Sequence, residues 1–287
     1  MRKWSLFSVV FLSIITFVSS YASMLDDEYF ESRDIVLTLL NRFPPEKYFY
    51  VGLGRSPVPI MFLLEELNLS NTANIPLSGI SNMDGVWIGD QKVTVVSPEE
   101  LNARRLKLFD HYRKFLPKLE TLKGRKILLI DFVDSGKGLI NAKQTIEEYY
   151  NMSTEAVALY IEEKRLDDPI VTQLVKNKIN VYYLASWRSW LRNQDLRRLG
   201  GFTSFIHDLM KRSRYHLAAP YGEAIPWEDS INLNPGIDRQ NFVNRFRSKA
   251  LADKYFIKAK EKYSRRMEQN TKISCTSLFF AHSRFAQ

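Results

Sequence analysis

The sequence predicts an α/β fold, with an open, mainly parallel sheet of about five strands flanked by helices and a helical C-terminal extension. Ile127–Ile130 is an unbroken apolar run, the pattern of a strand buried on both faces of a parallel sheet. Tyr48–Leu67 has the pattern of a strand, a glycine turn and a helix, which typically opens an α/β unit. Strand and helix patterns then alternate to about residue 185, as repeated β-α units require.

The first part of the chain predicts a helix, a strand, a second helix and a hairpin. Acidic residues in the first turn favour a helix over Asp26–Asn41, which Pro44 and Pro45 end. The aromatic and β-branched run Tyr48–Val51 predicts a strand, and Gly52–Pro57 predicts the turn after it. The elements that follow are a helix over Val58–Leu67, a strand over Ile75–Ile80, and a hairpin formed by Val86–Ile88 and Lys92–Val96.

The second part predicts the remaining units of the sheet. Ser97, Pro98 and the two glutamates after them are a helix start, and the helix is expected to continue to about Leu119. The later elements are a strand over Ile127–Ile130, a helix over Leu139–Tyr150, a strand over Ala156–Ile161, a helix over Pro169–Lys176 and a strand over Ile179–Leu184.

The C-terminal region changes character. Gln240–Gln269 has the pattern of one long basic amphipathic helix. Its apolar positions include Phe242, Phe246, Ala250, Ile257 and Met267. This helix either packs on the core with its basic face in solvent, or uses that face to bind an anionic surface.

The N-terminus predicts export. Arg2 and Lys3 precede an uncharged apolar run, Trp4–Ser20, and Ala22 completes a small-residue cleavage pattern. We therefore expect a signal peptide over residues 1–22 and a periplasmic or secreted mature chain, with an uncleaved anchor as the alternative. Residues 23–215 are expected to form the α/β domain, and residues 216–287 the basic helical extension.

Composition sets limits on partners. Hydrophobic residues make up 45% of the 287 residues, which argues against a largely disordered chain. A formal net charge of +9 favours anionic partners or serves solubility alone. The single cysteine, Cys275, and four scattered histidines predict no disulfide and no protein metal centre.

The stretch Asp131–Gly138 carries the predicted chemistry. It places two acids, Asp131 and Asp134, between a buried strand and Ser135-Gly136-Lys137-Gly138, which open a helix. Amide groups at a helix start bind anions, and glycines let a phosphate approach the backbone closely. Carboxylates beside such amides suit a sugar phosphate, because acids accept hydrogen bonds from hydroxyl groups. Plain helix capping by Asp134 or Ser135 is the alternative.

Ile127–Leu139 resembles the ribose-phosphate motif of type I phosphoribosyltransferases, particularly the purine-salvage branch. That motif has four apolar residues, two acids, two apolar residues, then Asp-Thr-Gly-Lys-Thr. The similarity extends in element order over about Tyr48–Leu184. The chain departs from the motif at Ile130, where the family has the first acid, and at Gly138, where it has threonine.

The resemblance implies a role for each matching position. Asp131 would hold the ribose hydroxyls, and Asp134 would be the general base. The 5′-phosphate would be held by Ser135, Gly136, Lys137 and Gly138, and the pyrophosphate by Gly54, Arg55 and Ser56. Mg²⁺ would be bound together with the ligand, and the 85–96 hairpin would correspond to the flexible catalytic loop.

Two readings of function follow from this resemblance. The chain would bind a phosphorylated sugar or nucleotide and, if active, transfer a phosphoribosyl group. The alternative is a catalytically inactive ligand-binding or interaction protein on the same fold. A third hypothesis is that the basic C-terminal helix binds an anionic surface. Nucleic acid is not expected as a partner, and the sequence does not predict an oligomeric state.

Overall fold

The structure is a computed structural model that describes residues 29–54, 57–77, 80, 83–88, 91–133, 135–160, 168–183 and 246–265, and the backbone alone within 86–94. Within these ranges no helix combines the length and the apolar character that a membrane span requires. The predicted signal peptide, residues 1–22, lies outside the described residues and stays a prediction.

Seven strands and eight helices are described. The strands are β1 (Tyr48–Leu53), β2 (Thr72–Ile75), β3 (Gly85–Ile88), β4 (Gln91–Val95), β5 (Lys126–Val133), β6 (Glu155–Tyr160) and β7 (Ile179–Tyr183). The helices are α1 (residues 29–42), α2 (Val58–Glu66), α3 (Pro98–Phe115), α4 (Leu119–Leu122), α5 (Lys137–Tyr150), α6 (Pro169–Lys176), α7 (residues 246–252) and α8 (residues 254–265).

Five of the strands form one parallel sheet, in the order β2-β1-β5-β6-β7. This confirms the predicted α/β class and the predicted number of strands. Strands β3 and β4 form the predicted antiparallel hairpin, with a register irregularity between Val86 and Trp87.

Helices cover both faces of this sheet. Along β5, Leu128, Ile130 and Phe132 contribute to one apolar core, and the alternate residues contribute to the other. Helices α1, α2, α7 and α8 supply the first core, whereas α3, α5 and α6 supply the second. Because both faces of the central strands are buried, β5 can be an apolar run without alternation.

Two element boundaries differ from the predictions because of proline. Strand β2 ends at Ile75 because Pro76, which follows it, has no N–H to donate to the ladder. The strand predicted over 75–80 therefore ends earlier, and it also begins earlier, at Thr72. Helix α3 ends at Phe115 rather than Leu119. Residue Leu116 precedes Pro117 and is extended, a conformation that the ring of the next proline imposes.

The long C-terminal helix was predicted as one element, and this was wrong. Asp253 separates α7 from α8, and its Oδ1 accepts hydrogen bonds from the backbone N–H groups of Tyr255 and Phe256. The break shifts the buried stripe by one residue, so that Phe256 is buried and Ile257 is 39% exposed. Positions 242 and 267 of the predicted stripe lie outside the described residues.

His111 is expected to make the stability of the fold depend on pH. Its ring is 5% exposed, and Nε2 lies 2.7 Å from the carbonyl oxygen of Pro76, to which it must donate. Burial lowers the pKa of His111, the hydrogen bond to Pro76 opposes this effect, and Lys114 adds to it. The unfolded chain therefore takes up a proton more readily than the folded one as the pH falls below about 6.5.

We expect the free energy of unfolding to fall between pH 7 and pH 5, by at most about 1.4 kcal/mol per pH unit for this one proton. His111→Gln keeps a donor for Pro76 without titrating, and should flatten the profile. Urea unfolding across this range measures both proteins. An identical pH dependence in the variant would contradict a role for His111.

Candidate functional site

The strand order reverses at the centre of the sheet, between β1 and β5. From β1 the chain passes through α2 to the edge strand β2, and later returns to β5 on the other side of β1. Strands β6 and β7 then extend the sheet toward the opposite edge. Connections that diverge in this way leave a crevice at the carboxyl ends of the two central strands, where open α/β sheets bind ligands.

Gly54 follows the end of β1 at this crevice. Its φ is +72°, its N–H donates to the carbonyl oxygen of Ile75 at 2.7 Å, and a Cβ on it would lie 2.4 Å from the carbonyl oxygen of Leu77. Glycine is therefore required, both by the left-handed backbone and by the space. Arg55 and Ser56, the other two predicted pyrophosphate ligands, lie outside the described residues.

Asn74 is a residue at this turn that the sequence reasoning missed. It lies near the carboxyl end of β2, and its Nδ2 donates to the carbonyl oxygen of Gly54 at 3.1 Å. Its Oδ1 is buried without a hydrogen-bond partner in the described part of the structure, and lies 2.5 Å from the position of a Cβ on Gly52. Asn74 therefore ties the β1 turn to the neighbouring strand. The strand predicted here began at Ile75, so Asn74 lay just outside the predicted element and carried no signal.

Asp131 lies within β5 rather than after it. The strand was predicted to end at Ile130, but pairing with β6 continues through Asp131 and Phe132 to Val133, which lies opposite Tyr160. Alternation along the strand puts Asp131 in phase with Leu129 and Val133, on the face covered by α3 and α5. The side chain is partly buried, two residues before the strand ends.

Gly136 begins α5. Its φ is +73°, and a Cβ on it would lie 2.9 Å from Cδ2 of Leu174 in α6. Gly136 is the N-cap residue of α5 and has no side chain that could cap the helix, and the first turn of α5 holds no acidic residue. In contrast, Ser97 caps α3 and Asp168 caps α6. The amide groups and the positive dipole end of a helix start are suited to an anion. The anion site at this turn stays a prediction.

The other predicted phosphate ligands occupy the same turn. Ser135 is exposed, and Lys137 and Gly138 are partly exposed in the first residues of α5. A Cβ on Gly138 would make only an ordinary contact, at 3.7 Å from Cγ2 of Ile80, so this glycine is not required by space. Asp134, the predicted general base, lies outside the described residues.

The 85–96 hairpin is rooted beside this turn. The side-chain amide of Asn141, in α5, donates to the carbonyl oxygen of Ile80 at 3.1 Å. Arg104, in α3, donates to the carbonyl oxygen of Met83 at 3.2 Å, just before β3 begins. The base of the hairpin is thus held between α3 and the first turns of α5.

The described residues hold no group of three or more His, Cys, Asp or Glu side chains that could bind a metal ion. Mg²⁺ does not need such a group, since it keeps several waters and binds through one or two carboxylates together with substrate phosphates. Asp131 beside a helix start fits this mode, in which the ion enters with a phosphorylated ligand.

Comparisons of the chain with protein-family models, with curated proteins and with solved structures find no match. The function is therefore inferred from the geometry of the crevice and from the motif.

Proposed function

We propose that the chain binds a ribose 5-phosphate or nucleotide ligand in the crevice between β1 and β5, with transfer of the phosphoribosyl group as the activity. The observation that carries this proposal is the meeting of the two motif segments. Gly54 follows β1, and the Asp131–Gly138 segment begins in the last residues of β5. These segments are far apart in the sequence, but their two strands are adjacent at the point where the strand order reverses.

Each residue has a proposed task. The amide groups at the start of α5, with Ser135 and Lys137, hold the 5′-phosphate. Asp131 accepts hydrogen bonds from the ribose hydroxyls, and Gly54 with the two residues after it holds the pyrophosphate. Mg²⁺, where it is bound with the ligand, neutralises the pyrophosphate charge.

The transfer replaces one bond at the ribose C1 atom by another. The bond from C1 to a pyrophosphate oxygen breaks, the bond from C1 to a ring nitrogen of the base forms, and Asp134 takes the proton from that nitrogen. A positive charge develops on the sugar between these events, and the nearby carboxylate of Asp131 stabilises it electrostatically.

The first test is calorimetric titration of residues 23–287 with phosphoribosyl pyrophosphate and Mg²⁺. We expect binding that Asp131→Ala weakens by about 10- to 150-fold, the loss for hydrogen bonds to a charged group. Asp110→Ala is the matched control, because Asp110 is an exposed aspartate of α3 that pairs with Arg113. Thermal unfolding of both variants checks that they fold.

Two outcomes of this titration would contradict the proposal. Equal affinity of Asp131→Ala and the unmodified chain would remove Asp131 from the site, and no binding by the unmodified chain would reject the ligand. If binding is present, turnover of purine bases tests the reaction, and turnover unchanged in Asp134→Asn would reject the proposed general base.

One observation favours the second candidate, a binding protein without turnover. Ile130 occupies the position of the first acid of the motif, and it is fully buried in the core that α1 and α2 supply. A chain that binds the ligand with Mg²⁺ but transfers nothing to any base would support this candidate.

A further inference from the structure

A groove lies where α1 meets the junction of α7 and α8. Its volume is about 340 Å³, and Tyr29, Phe30, Arg33, Lys249, Asp253 and Tyr255 are among its lining residues. A second groove of about 350 Å³ lies between α1 and α8 and includes Lys262. Neither groove is part of the crevice at the carboxyl ends of the strands.

Two exposed aromatic rings form walls of the first groove, and Arg33 holds them. Its guanidinium lies 4.9 Å from the ring centre of Phe30 and 5.7 Å from that of Tyr255. Its charge is paired with Asp253 at 2.8 Å and with Asp34 at 2.7 Å. The rings are nevertheless 44% and 59% exposed, so apolar surface faces solvent in a fixed arrangement.

A row of lysines runs beside these rings along α8. Lys254, Lys258 and Lys262 are exposed and four residues apart, which places them on one face of the helix. Like charges at this spacing repel and destabilise a helix. Residues 246–265 contain seven basic and two acidic residues, and of the acids Asp253 pairs with Arg33 and Glu261 with Arg265.

Exposed aliphatic side chains border the same region. Leu251 at the end of α7 is 63% exposed, and Ile257 in α8 is 39% exposed. Phosphate groups of a nucleic acid would gain nothing from these side chains. A bilayer interface accepts aromatic and aliphatic side chains together with lysines, when its lipids are anionic.

We propose that Phe30, Leu251, Lys254, Tyr255, Lys258 and Lys262, here termed the aromatic–lysine surface, dock the protein on an anionic phospholipid bilayer. The lysines interact with the lipid phosphates, and the aromatic and aliphatic side chains enter the interfacial layer.

The test is co-sedimentation of residues 23–287 with vesicles, because the apolar N-terminal run would otherwise bind lipid by itself. We expect binding to phosphatidylcholine vesicles that contain phosphatidylglycerol, loss of binding in 0.5 M KCl (roughly three times physiological ionic strength), and no binding to pure phosphatidylcholine. The double variant Lys254→Gln, Lys258→Gln removes two charges and should weaken partitioning about 30-fold.

A charge-matched control uses Lys107→Gln with Lys176→Gln, two exposed lysines on α3 and α6, which cover the opposite face of the sheet. This control should bind as the unmodified chain does. Tyr255→Ala with Leu251→Ala should also weaken binding, which separates insertion of side chains from charge alone.

Several outcomes would overturn the proposal. Equal loss in the control pair would show that net charge acts without this surface. Absence of vesicle binding at low salt would reject the surface as a bilayer contact. Binding of duplex DNA that the lysine variant abolishes, without vesicle binding, would assign the surface to nucleic acid instead.

Discussion

Replacing Ile130 with aspartate is expected to cost about 4 kcal/mol or more of the free energy of unfolding, enough to unfold a domain of ordinary stability. Ile130 is fully buried, pairs in register with Gly52 of β1 and Val157 of β6, and belongs to the core on the α1–α2 face. A carboxylate there would meet apolar side chains and lose its water. Such a substitution would give the chain the acid that the phosphoribosyltransferase motif has at this position.

The measurement is urea unfolding of the Ile130→Asp variant at pH 7 and at pH 5, with Ile130→Val and Ile130→Ala beside it. The valine variant should lose about 0.5–1.5 kcal/mol and the alanine variant about 2–5 kcal/mol. Burial raises the pKa of a carboxyl group, so the folded Ile130→Asp variant binds a proton more readily than the unfolded one, and its deficit should shrink as the pH falls.

A loss no greater than that of Ile130→Ala, with no dependence on pH, would contradict this account. It would mean that position 130 can reach water or a cation, as it does when it forms part of a ligand site. The expected result instead assigns position 130 to the core, so Asp131 has no acid at the adjacent position to share its role in the proposed site.

Alanine in place of three left-handed glycines should give three graded losses of stability. Gly124, Gly136 and Gly54 have φ values of +77°, +73° and +72°, so a side chain would meet a similar left-handed φ at each. A Cβ would meet nothing within 4 Å at Gly124, Cδ2 of the buried Leu174 at Gly136, and the carbonyl oxygen of Leu77 at Gly54.

We expect about 1 kcal/mol for Gly124→Ala, about 2–4 kcal/mol for Gly136→Ala, and about 4 kcal/mol or more for Gly54→Ala. A leucine side chain can move by a few tenths of an ångström, whereas the carbonyl at Gly54 is part of the backbone. Thermal and urea unfolding of the three variants give the order. Equal losses would show that the backbone conformation alone sets the cost and that the β1 turn is not tightly packed.

The glycine-to-alanine variants also test ligand binding at the crevice. If Gly136 shapes an anion site at the start of α5, Gly136→Ala should weaken phosphoribosyl pyrophosphate binding, and Gly124→Ala should leave it unchanged. Gly138→Ala adds a Cβ to the same turn where there is space for it, and is the local control.

The sheet was predictable because its signals are local. Ile127–Ile130 and the strand, turn and helix after Tyr48 each carry their structure in a few adjacent residues. Boundaries depended on partners instead: β5 continues past Asp131 because β6 is long enough to pair with it. The break at Asp253 was missed because one aspartate within a helical pattern is not a local stop signal. Its role as the cap of α8 is shown by the hydrogen bonds that its Oδ1 accepts from the N–H groups of Tyr255 and Phe256.

The candidate crevice was only partly predictable. The motif identifies Asp131 and Gly136, but the adjacency of β1 and β5 comes from the order of strands in the sheet, which no local pattern contains. Asn74 was missed for a similar reason. Its role depends on the close approach of β2 to the Gly54 turn, and that contact joins residues 20 positions apart.

The packing of α1 against α7 and α8 determines which part of the protein can form last. The hydroxyl of Tyr29 donates to Asp253 across 224 positions of the sequence, and Phe246, Phe256 and Tyr263 share the core with α1. The core on this face of the sheet is therefore completed only when nearly the whole chain has been synthesised, since contacts between distant residues wait for both partners. A chain that stops before residue 246 would leave the apolar residues that α7 and α8 cover exposed to solvent, and such a surface invites aggregation.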